Sequence, residues 1–284
     1  MDKPSLETIE GLIFINDSVR QLRAILVHAN AKLVQDDIDK YSVPVVLFDA
    51  ARQSTEAFEV LVAHELFRDA FPIARAIFET VLNAAYILAP GSAAEIKAVR
   101  HAKQKVHRQI TTTYDFKNAK FSIGWPSGVK FEPPPDFKKA VGEFTTKKGR
   151  EITSWTPESI SSRIEFVENW LGGAAGDSLR FEYESIYPLA SEFSHGTLYS
   201  VIFWAAGTSF GGDDKSEAFV RRHRLSETAV LAIQVLSSLR IAIWAISKIV
   251  GDDSLRVQSK EVMDEMAKTL GLQPVDRQCK SDAS

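Results

Sequence analysis

The stretch PIARAIFETVLNAAYIL, residues 72–88, decides the fold class, because it is apolar on nearly every face. Its polar exceptions, Arg75, Glu79 and Asn83, are spaced by four residues, which is the period of a helix. A helix that is apolar all round is expected in a protein interior. Helical spacing of apolar residues recurs through most of the chain, and period-two alternation is confined to one irregular stretch. The sequence therefore predicts an all-α protein, a bundle of about eight helices.

The helices are bounded by recognisable start and stop signals. Two helices are predicted before the central one, and the second of them forms an αα-hairpin with it. Pro72 is expected in the first turn of the central helix, where its missing N–H costs little. Pro188 is expected to kink the chain or to separate two helices. The predicted helices are 5–35, 43–64, 68–88, 92–114, 156–171, 177–187, 188–206, 216–250 and 254–270.

One stretch interrupts this periodicity and is also basic. Residues 118–155 contain turn signals such as GWPSG and FEPPP, which predict an irregular insertion or lid in a single helical domain of residues 1–272. Within it, one short helix is expected over 136–144. A disordered tail is predicted for 273–284. Segment 95–150 has thirteen Lys and Arg against five Asp and Glu, although the whole chain carries −3.

The basic segment suggests a polyanion as one partner. Cations contact phosphates and aromatic rings stack on bases, so this composition suits single-stranded RNA. The simpler interpretation is a solvated face beside a flexible lid. The residues concerned are Lys97, Arg100, Lys103, Lys105, Arg108, Lys117, Lys120, Lys138, Lys139, Lys147, Lys148 and Arg150, with Phe121, Trp125 and Phe131 interleaved.

Cysteine usage and the N-terminal residues indicate a reducing compartment. Cys279 is the only cysteine, which excludes an internal disulfide and a CxxC pair. The first residues, MDKPSLETIE, lack the basic and apolar regions of a secretory signal. Residues 229–250 are long enough to span a membrane but carry Arg240 and Lys248, so we expect a buried bundle helix. These features predict a cytoplasmic protein without a membrane span.

A second polar stripe lies in YESIYPLASEFSHGTLYSVIFWAA, residues 183–206. Its members are again spaced by four and are followed by apolar sequence, so we expect this stripe and the one in 72–88 to face each other inside the bundle. Arg240 is expected to contribute as well, by satisfying Glu192 or Glu79. The second stripe consists of Tyr183, Tyr187, Ser191 and His195, with Glu192 and Ser194 alongside.

Two interpretations of these stripes stay open. One is a buried structural network that fixes helix register. The other is a ligand or catalytic pocket, in which His195 beside a carboxylate and a serine acts as general acid or base. The candidate site residues are His195, Glu192, Ser191, Arg75 and Glu79, together with Asn83, Tyr187 and Arg240.

The runs ARAIFETVLNAAYIL and YPLASEFSHG resemble a mainly bacterial domain-of-unknown-function family numbered 5677, which shows an R-x-x-x-E helix and a later helix with Ser and His. The resemblance covers residues 43–206 and matches Arg75, Glu79, Ser191 and His195 to family positions. It implies no established activity. Such proteins are also loosely similar to the helical HEPN group, which includes RNases of toxin and phage-defence systems.

Motifs for other chemistry are sparse. HEPN ribonucleases use R-x(4–6)-H, and this chain has Arg23 to His28 and Arg100 to His107, neither of which includes His195. The ExxH at Glu192 has no second copy, as a di-iron bundle would need, so neither metal nor cofactor is expected. The leading hypothesis is a regulatory or binding module for a small ligand or protein partner, associated with stress or phage defence. The alternative is a metal-independent endoribonuclease using His195 or His107, and a homodimer is left open.

Overall fold

The computed structural model describes residues 4–110, 113–122, 134–205 and 216–272. These residues form nine helices and one two-stranded hairpin, which confirms the all-α prediction. The elements are α1 Ile9–Ala63, α2 Phe67–Leu88, α3 Ala94–Ile110, β1 Thr113–Phe116, β2 Ala119–Ser122, α4 Pro135–Glu143, α5 Ile160–Leu171, α6 Gly173–His195, α7 Leu198–Trp204, α8 Glu217–Val250 and α9 Asp253–Leu270.

The chain divides into two compact units. The first combines Met1–Ala89 with Arg163–Ser284, and the second is Pro90–Ser162. The predicted insertion falls in the second unit, which begins earlier and also includes α3. That one folding domain spans 1–272 stays a prediction, and the predicted tail, 273–284, lies outside the described residues.

Helix α1 is two helical arms joined at a sharp break. Asp37 has extended backbone angles, φ −163° and ψ 92°, and its carboxylate accepts a hydrogen bond from Lys40 N at 3.0 Å, as a helix N-cap does. The arms run antiparallel, since Asn30 Nδ2 donates to the carbonyl oxygen of Val45 at 3.2 Å. Further from the break, Arg23 Nε donates to Glu59 Oε1 at 2.7 Å. This break lies between the two helices predicted over 5–35 and 43–64.

The core of the first unit forms where α2 and α8 pack on each other and on α1. In α2, Ile77, Phe78 and Val81 are almost fully buried, and in α8 Leu239 and Ile246 are fully buried. By length and composition, α2 and α8 are the two described helices that could cross a membrane. However, 61% and 72% of their most apolar windows are buried in the protein, as in core helices.

The predicted separation of two helices at Pro188 is wrong, because α6 continues through this residue to His195. Pro188 removes the hydrogen bond to the carbonyl of Glu184, but both residues are exposed, so water can solvate that carbonyl. The helix ends instead at Gly196, whose φ of 60° is the left-handed conformation that glycine adopts without a steric penalty. Pro72 likewise lies beyond the first turn, since α2 begins at Phe67.

The second unit contains the predicted short helix, which is confirmed as α4. Strands β1 and β2 pair antiparallel, with Thr113 opposite Ser122. After α4 the chain turns back on itself, and Thr145 and Glu151 form an isolated antiparallel bridge. The described part of the predicted insertion therefore contains one strand, β2, and one helix, α4, together with turns and irregular chain.

Candidate functional site

The two predicted polar stripes meet through Arg75 of α2 and Tyr187 of α6. Arg75 Nε donates to Glu79 Oε1 at 2.8 Å, and its Nη2 donates to the Tyr187 hydroxyl at 2.9 Å. The guanidinium carbon also lies 4.0 Å from the centre of the Tyr187 ring, which is cation–π geometry. Tyr183 continues the stripe, with its ring centre 5.3 Å from that of Tyr187.

This contact is less buried than the apolar sequence around it predicts. The side chains of Arg75 and Glu79 keep 24% and 38% of their accessible surface. The Arg75–Glu79 pair is therefore half-buried and not fully enclosed, which leaves both the structural and the ligand-pocket interpretation open. Asn83, the third member of the strip, contacts Arg163 of α5 and not α6.

The other end of the second stripe makes its hydrogen bonds locally, among the described residues of α6 and the turn after it. Glu192 Oε2 accepts a hydrogen bond from Thr197 Oγ1 at 2.6 Å, across the turn between α6 and α7. His195 is the last residue of α6 and is exposed, while Ser191 is half-buried. Ser194 Oγ donates to the Ala190 carbonyl at 2.8 Å, within its own helix. Glu192, Ser191 and His195 are thus neighbours on one helix, but His195 does not bond to the carboxylate.

Arg240 does not satisfy Glu79 or Glu192, contrary to the expectation from sequence. Its Nη2 donates to Ser178 Oγ at 3.2 Å, and its guanidinium lies 4.8 Å from the centre of the Trp244 ring. Arg240 Nε has no hydrogen-bond partner in the described part of the chain. The acidic groups that attract it electrostatically are Glu182 and Asp264.

Glu182 is a fully buried carboxyl group that the predicted polar stripes did not include. It lies on α6 with no exposed surface, and Ser238 of α8 donates a hydrogen bond to its carboxylate. Burial raises the pKa of Glu182 to about 8, against the opposing effects of Ser238, Ser237 and Arg240. The signal was a second strip on α6, Ser178, Glu182 and Ser185, which faces Gln234 and Ser238, themselves four apart on α8.

A cavity of about 510 Å³ opens beside Glu192, between α6 and α7. Glu192 is its one charged lining residue among those described, and the walls are otherwise aromatic, aliphatic or hydroxyl-bearing. Glu192 Oε1 makes no hydrogen bond with the described residues, since Thr197 binds Oε2 alone. The lining residues are Ser185, Pro188, Leu189, Glu192, Tyr199 and Phe203. Tyr199 and Phe203 were predicted only as part of an apolar helix.

The basic residues of α3 are engaged inside the second unit. Arg100 pairs with Glu143 at 3.2 Å, and Lys105 pairs with Glu151 at 2.7 Å. The side chains of Lys97, Lys103 and Arg108 likewise contact Glu158, Asp136 and Thr145, respectively. By contrast, an exposed group follows, namely Lys138, Lys139, Lys147, Lys148 and Arg150. Of the predicted stacking aromatics, Trp125 and Phe131 lie outside the described residues, as does the side chain of Phe121.

Neither R-x(4–6)-H pair forms an arginine–histidine contact seen in the structure. Arg23 is bound to Glu56 and Glu59 across the two arms of α1, and His28 is exposed. Arg100 is bound to Glu143. Across the ranges the structure describes, no group of three or more His, Cys, Asp and Glu is arranged to hold a metal ion.

Comparison with known proteins gives one match. A family model described as a family of unknown function (DUF5677) matches residues 41–204. This range contains Arg75, Glu79, Tyr187, Ser191, Glu192 and His195, as well as the whole α6–α7 cavity. No curated protein and no solved structure matches the chain.

Proposed function

The chain belongs to the family of unknown function DUF5677, and we propose that it is a helical binding module whose ligand carries a cationic nitrogen on an apolar body. The ligand occupies the α6–α7 cavity. The observation that carries this proposal is the carboxylate of Glu192, the one charged group in the described lining of a largely apolar cavity, with one oxygen to which no described residue donates a hydrogen bond.

The chemistry of the cavity selects for a cation. A half-buried carboxylate oxygen is stabilised by a charged donor, and burying it under an uncharged apolar ligand would leave it without a partner. The rings of Tyr199 and Phe203 offer π-faces that also attract ammonium and guanidinium groups. The volume lies in the range of small-molecule sites.

The surface around the cavity suggests that the ligand has apolar surface as well. Helix α7 exposes Leu198 and Val201, which keep 67% and 49% of their accessible surface, and Tyr199 is similarly exposed. Contiguous exposed apolar side chains often mark a binding surface. The cationic group can therefore come from a small amphiphilic amine or from a basic side chain of a partner protein.

Calorimetric titration with a matched pair of probes tests the proposal. Phenethylamine and 2-phenylethanol share the same apolar body, and only the amine carries a positive charge at neutral pH. We expect the amine to bind more tightly, and Glu192→Gln to weaken it by about tenfold. A short peptide with one arginine between apolar residues, tested in parallel, distinguishes a protein partner from a small amine.

Glu184→Gln is the matched control, because Glu184 lies on the same helix, is exposed and does not line the cavity. It should leave amine binding unchanged. Equal affinity for the amine and the alcohol, or no effect of Glu192→Gln, would contradict the proposal.

A second candidate is RNA binding by the second unit. It is supported by the exposed cations between 138 and 150, which make no side-chain ion pair within the described ranges. Binding should weaken as salt rises, because phosphate contacts release counterions. Affinity for all RNA sequences should fall when four of these lysines are changed to Glu, namely Lys138, Lys139, Lys147 and Lys148. Unchanged affinity would exclude this segment as the RNA-binding site.

The endoribonuclease alternative, with His195 or His107 as acid or base, rests on the loose HEPN similarity. Incubating purified protein with RNA in the presence of a chelator tests it, since the proposed reaction needs no metal. A cytoplasmic location, a homodimer and a role in stress or phage defence are further hypotheses from the sequence. Growth arrest on overexpression that His195→Gln abolishes would support the defence role.

A further inference from the structure

A second cavity in the first unit, of about 430 Å³, lies where α2 and α8 begin and α7 ends. Three arginines from two helices converge on it: Arg68 from the first turn of α2, and Arg221 and Arg224 from the start of α8. Glu65, Phe67, Trp204, Glu217 and Val220 complete the described lining. It shares no lining residue with the α6–α7 cavity.

We propose that this cavity binds a phosphate-bearing anion. Guanidinium groups present several N–H donors in a plane, which suits the oxygens of a phosphate group. Arg68 and Arg221 are exposed and make no ion pair or side-chain hydrogen bond with any other described residue. No residue in the described ranges therefore occupies the side-chain donors of Arg68 and Arg221.

Arg224 is held in place at the cavity wall. Its Nε donates to the Trp204 carbonyl oxygen at 3.1 Å, and its guanidinium carbon lies 5.1 Å from the centre of the Trp204 ring. Trp204 is itself fixed by edge-on contacts with Phe71 and Phe193, at 6.3 and 6.1 Å between ring centres. One arginine of the three is thus preorganised, which lowers the entropic cost of binding.

The backbone adds to the positive potential. Phe67 and Arg68 are the first residues of α2, and the N-cap residue Leu66 provides no side-chain hydrogen bond to the free N–H groups there. The N-terminus of a helix favours anions. Against this, Glu65 and Glu217 place two negative charges beside the three positive ones, so the described lining retains a net charge of +1 before the helix contribution.

Because the cavity carries charges of both signs, one set of substitutions should lower its affinity for phosphate and another should raise it. In calorimetric titrations at constant ionic strength with inorganic phosphate and phenyl phosphate, the Arg68→Gln, Arg221→Gln double variant should lose at least about tenfold in affinity. Glu217→Gln should instead tighten binding, by roughly threefold, because it removes a repulsive carboxylate. A merely structural role of these residues would not produce an increase.

Arg222→Gln is the control, because Arg222 is the residue after Arg221 on α8 and is also exposed, but does not line this cavity. Its Nε lies 3.8 Å from the Glu7 carboxylate. It should bind the phosphates as the wild type does. Circular dichroism checks that the variants remain folded, and Arg68 and Arg221 are surface residues whose loss should be tolerated.

A short 5′-phosphorylated oligonucleotide distinguishes the sources of the phosphate group. Binding of phenyl phosphate that the double variant loses supports a small phosphorylated ligand. Binding of the oligonucleotide alone, lost in the same variant, supports the site and assigns the phosphate to a polynucleotide. Absence of binding by all three probes, or equal losses in the double variant and in Arg222→Gln, would overturn the proposal.

Discussion

Arg75 holds Tyr187 in two ways, through a hydrogen bond of 2.9 Å to the hydroxyl and through its guanidinium 4.0 Å from the ring centre. This pair joins α2 to α6 near the start of the second stripe. Because one residue makes both contacts, removing the hydroxyl should cost less than removing the ring.

We predict that Tyr187→Phe lowers the free energy of unfolding by about 0.5–1 kcal/mol, and Arg75→Ala by about 1–2 kcal/mol. Glu79→Ala should cost less than either, since partly exposed ion pairs contribute little. Urea denaturation of the single and double variants measures the coupling between Arg75 and Tyr187. Strictly additive losses would mean that the contact does not contribute to stability.

Glu182 should make stability depend on pH in the direction opposite to a salt-bridged carboxylate. Burial raises its pKa from 4.5 to about 8, so the folded protein binds this proton more tightly than the unfolded chain. Its contribution to stability is complete below pH 4.5 and is lost as pH rises through about 8. Between these two pKa values, the free energy of unfolding should fall by at most about 1.4 kcal/mol per pH unit.

Glu182→Gln, which keeps the shape without the titrating proton, should therefore flatten this dependence and raise the melting temperature at pH 8. Exposed Glu184 on the same helix provides the control, and Glu184→Gln should follow the wild-type curve. A Glu182→Gln variant that loses stability equally at pH 5 and pH 8 would show that the carboxylate is charged and required.

His195→Gln should leave the melting temperature within about 3 °C, because the imidazole is exposed at the end of α6. If His195 contributes to function, activity or a cellular phenotype should be lost at unchanged stability. His107→Ala, measured in parallel, distinguishes the two candidate histidines. Unfolding of the His195 variant would instead assign it to the scaffold.

Limited proteolysis with trypsin should cut first within 117–155, where Lys138 and Lys147 are exposed. The first unit should stay associated after this cut, since its helices pack on one another. Mass spectrometry of the early fragments identifies the site. Earlier cleavage within α2 or α8 would argue against both the lid and the compact first unit.

The helices were predictable from the sequence because periodicity and glycine stops are local signals. Gly172 and Gly251 end α5 and α8 where the pattern predicts, each with positive φ. The expectation of two separate helices at Pro188 failed, because the local sequence does not reveal that the carbonyl freed at Glu184 is exposed to water. Whether that carbonyl is exposed to water depends on how α6 packs against the other helices.

The candidate site was less predictable, since spacing gives the angle of a residue around its helix but not which strip is buried. The sequence pattern pointed to the strip that contains Tyr183 and Tyr187, which are half-buried. Glu182, the residue before Tyr183, is fully buried and was not predicted. Arg68 and Arg224 line the same cavity at the start of α2 and α8, but they are distant in sequence, and no local pattern relates them.

The reversal of α1 at Asp37 bears on the order in which the chain folds. Its arms meet through Asn30 and Val45, only 15 residues apart, so little loop-closure entropy opposes their pairing. Lys32 and Asp252, which bring α9 onto α1, are 220 residues apart. We therefore expect the α1 hairpin to form before the transition state and the C-terminal helices to dock after it. High φ-values at Leu22 with low values at Leu255 would reveal this order, and the reverse would exclude it.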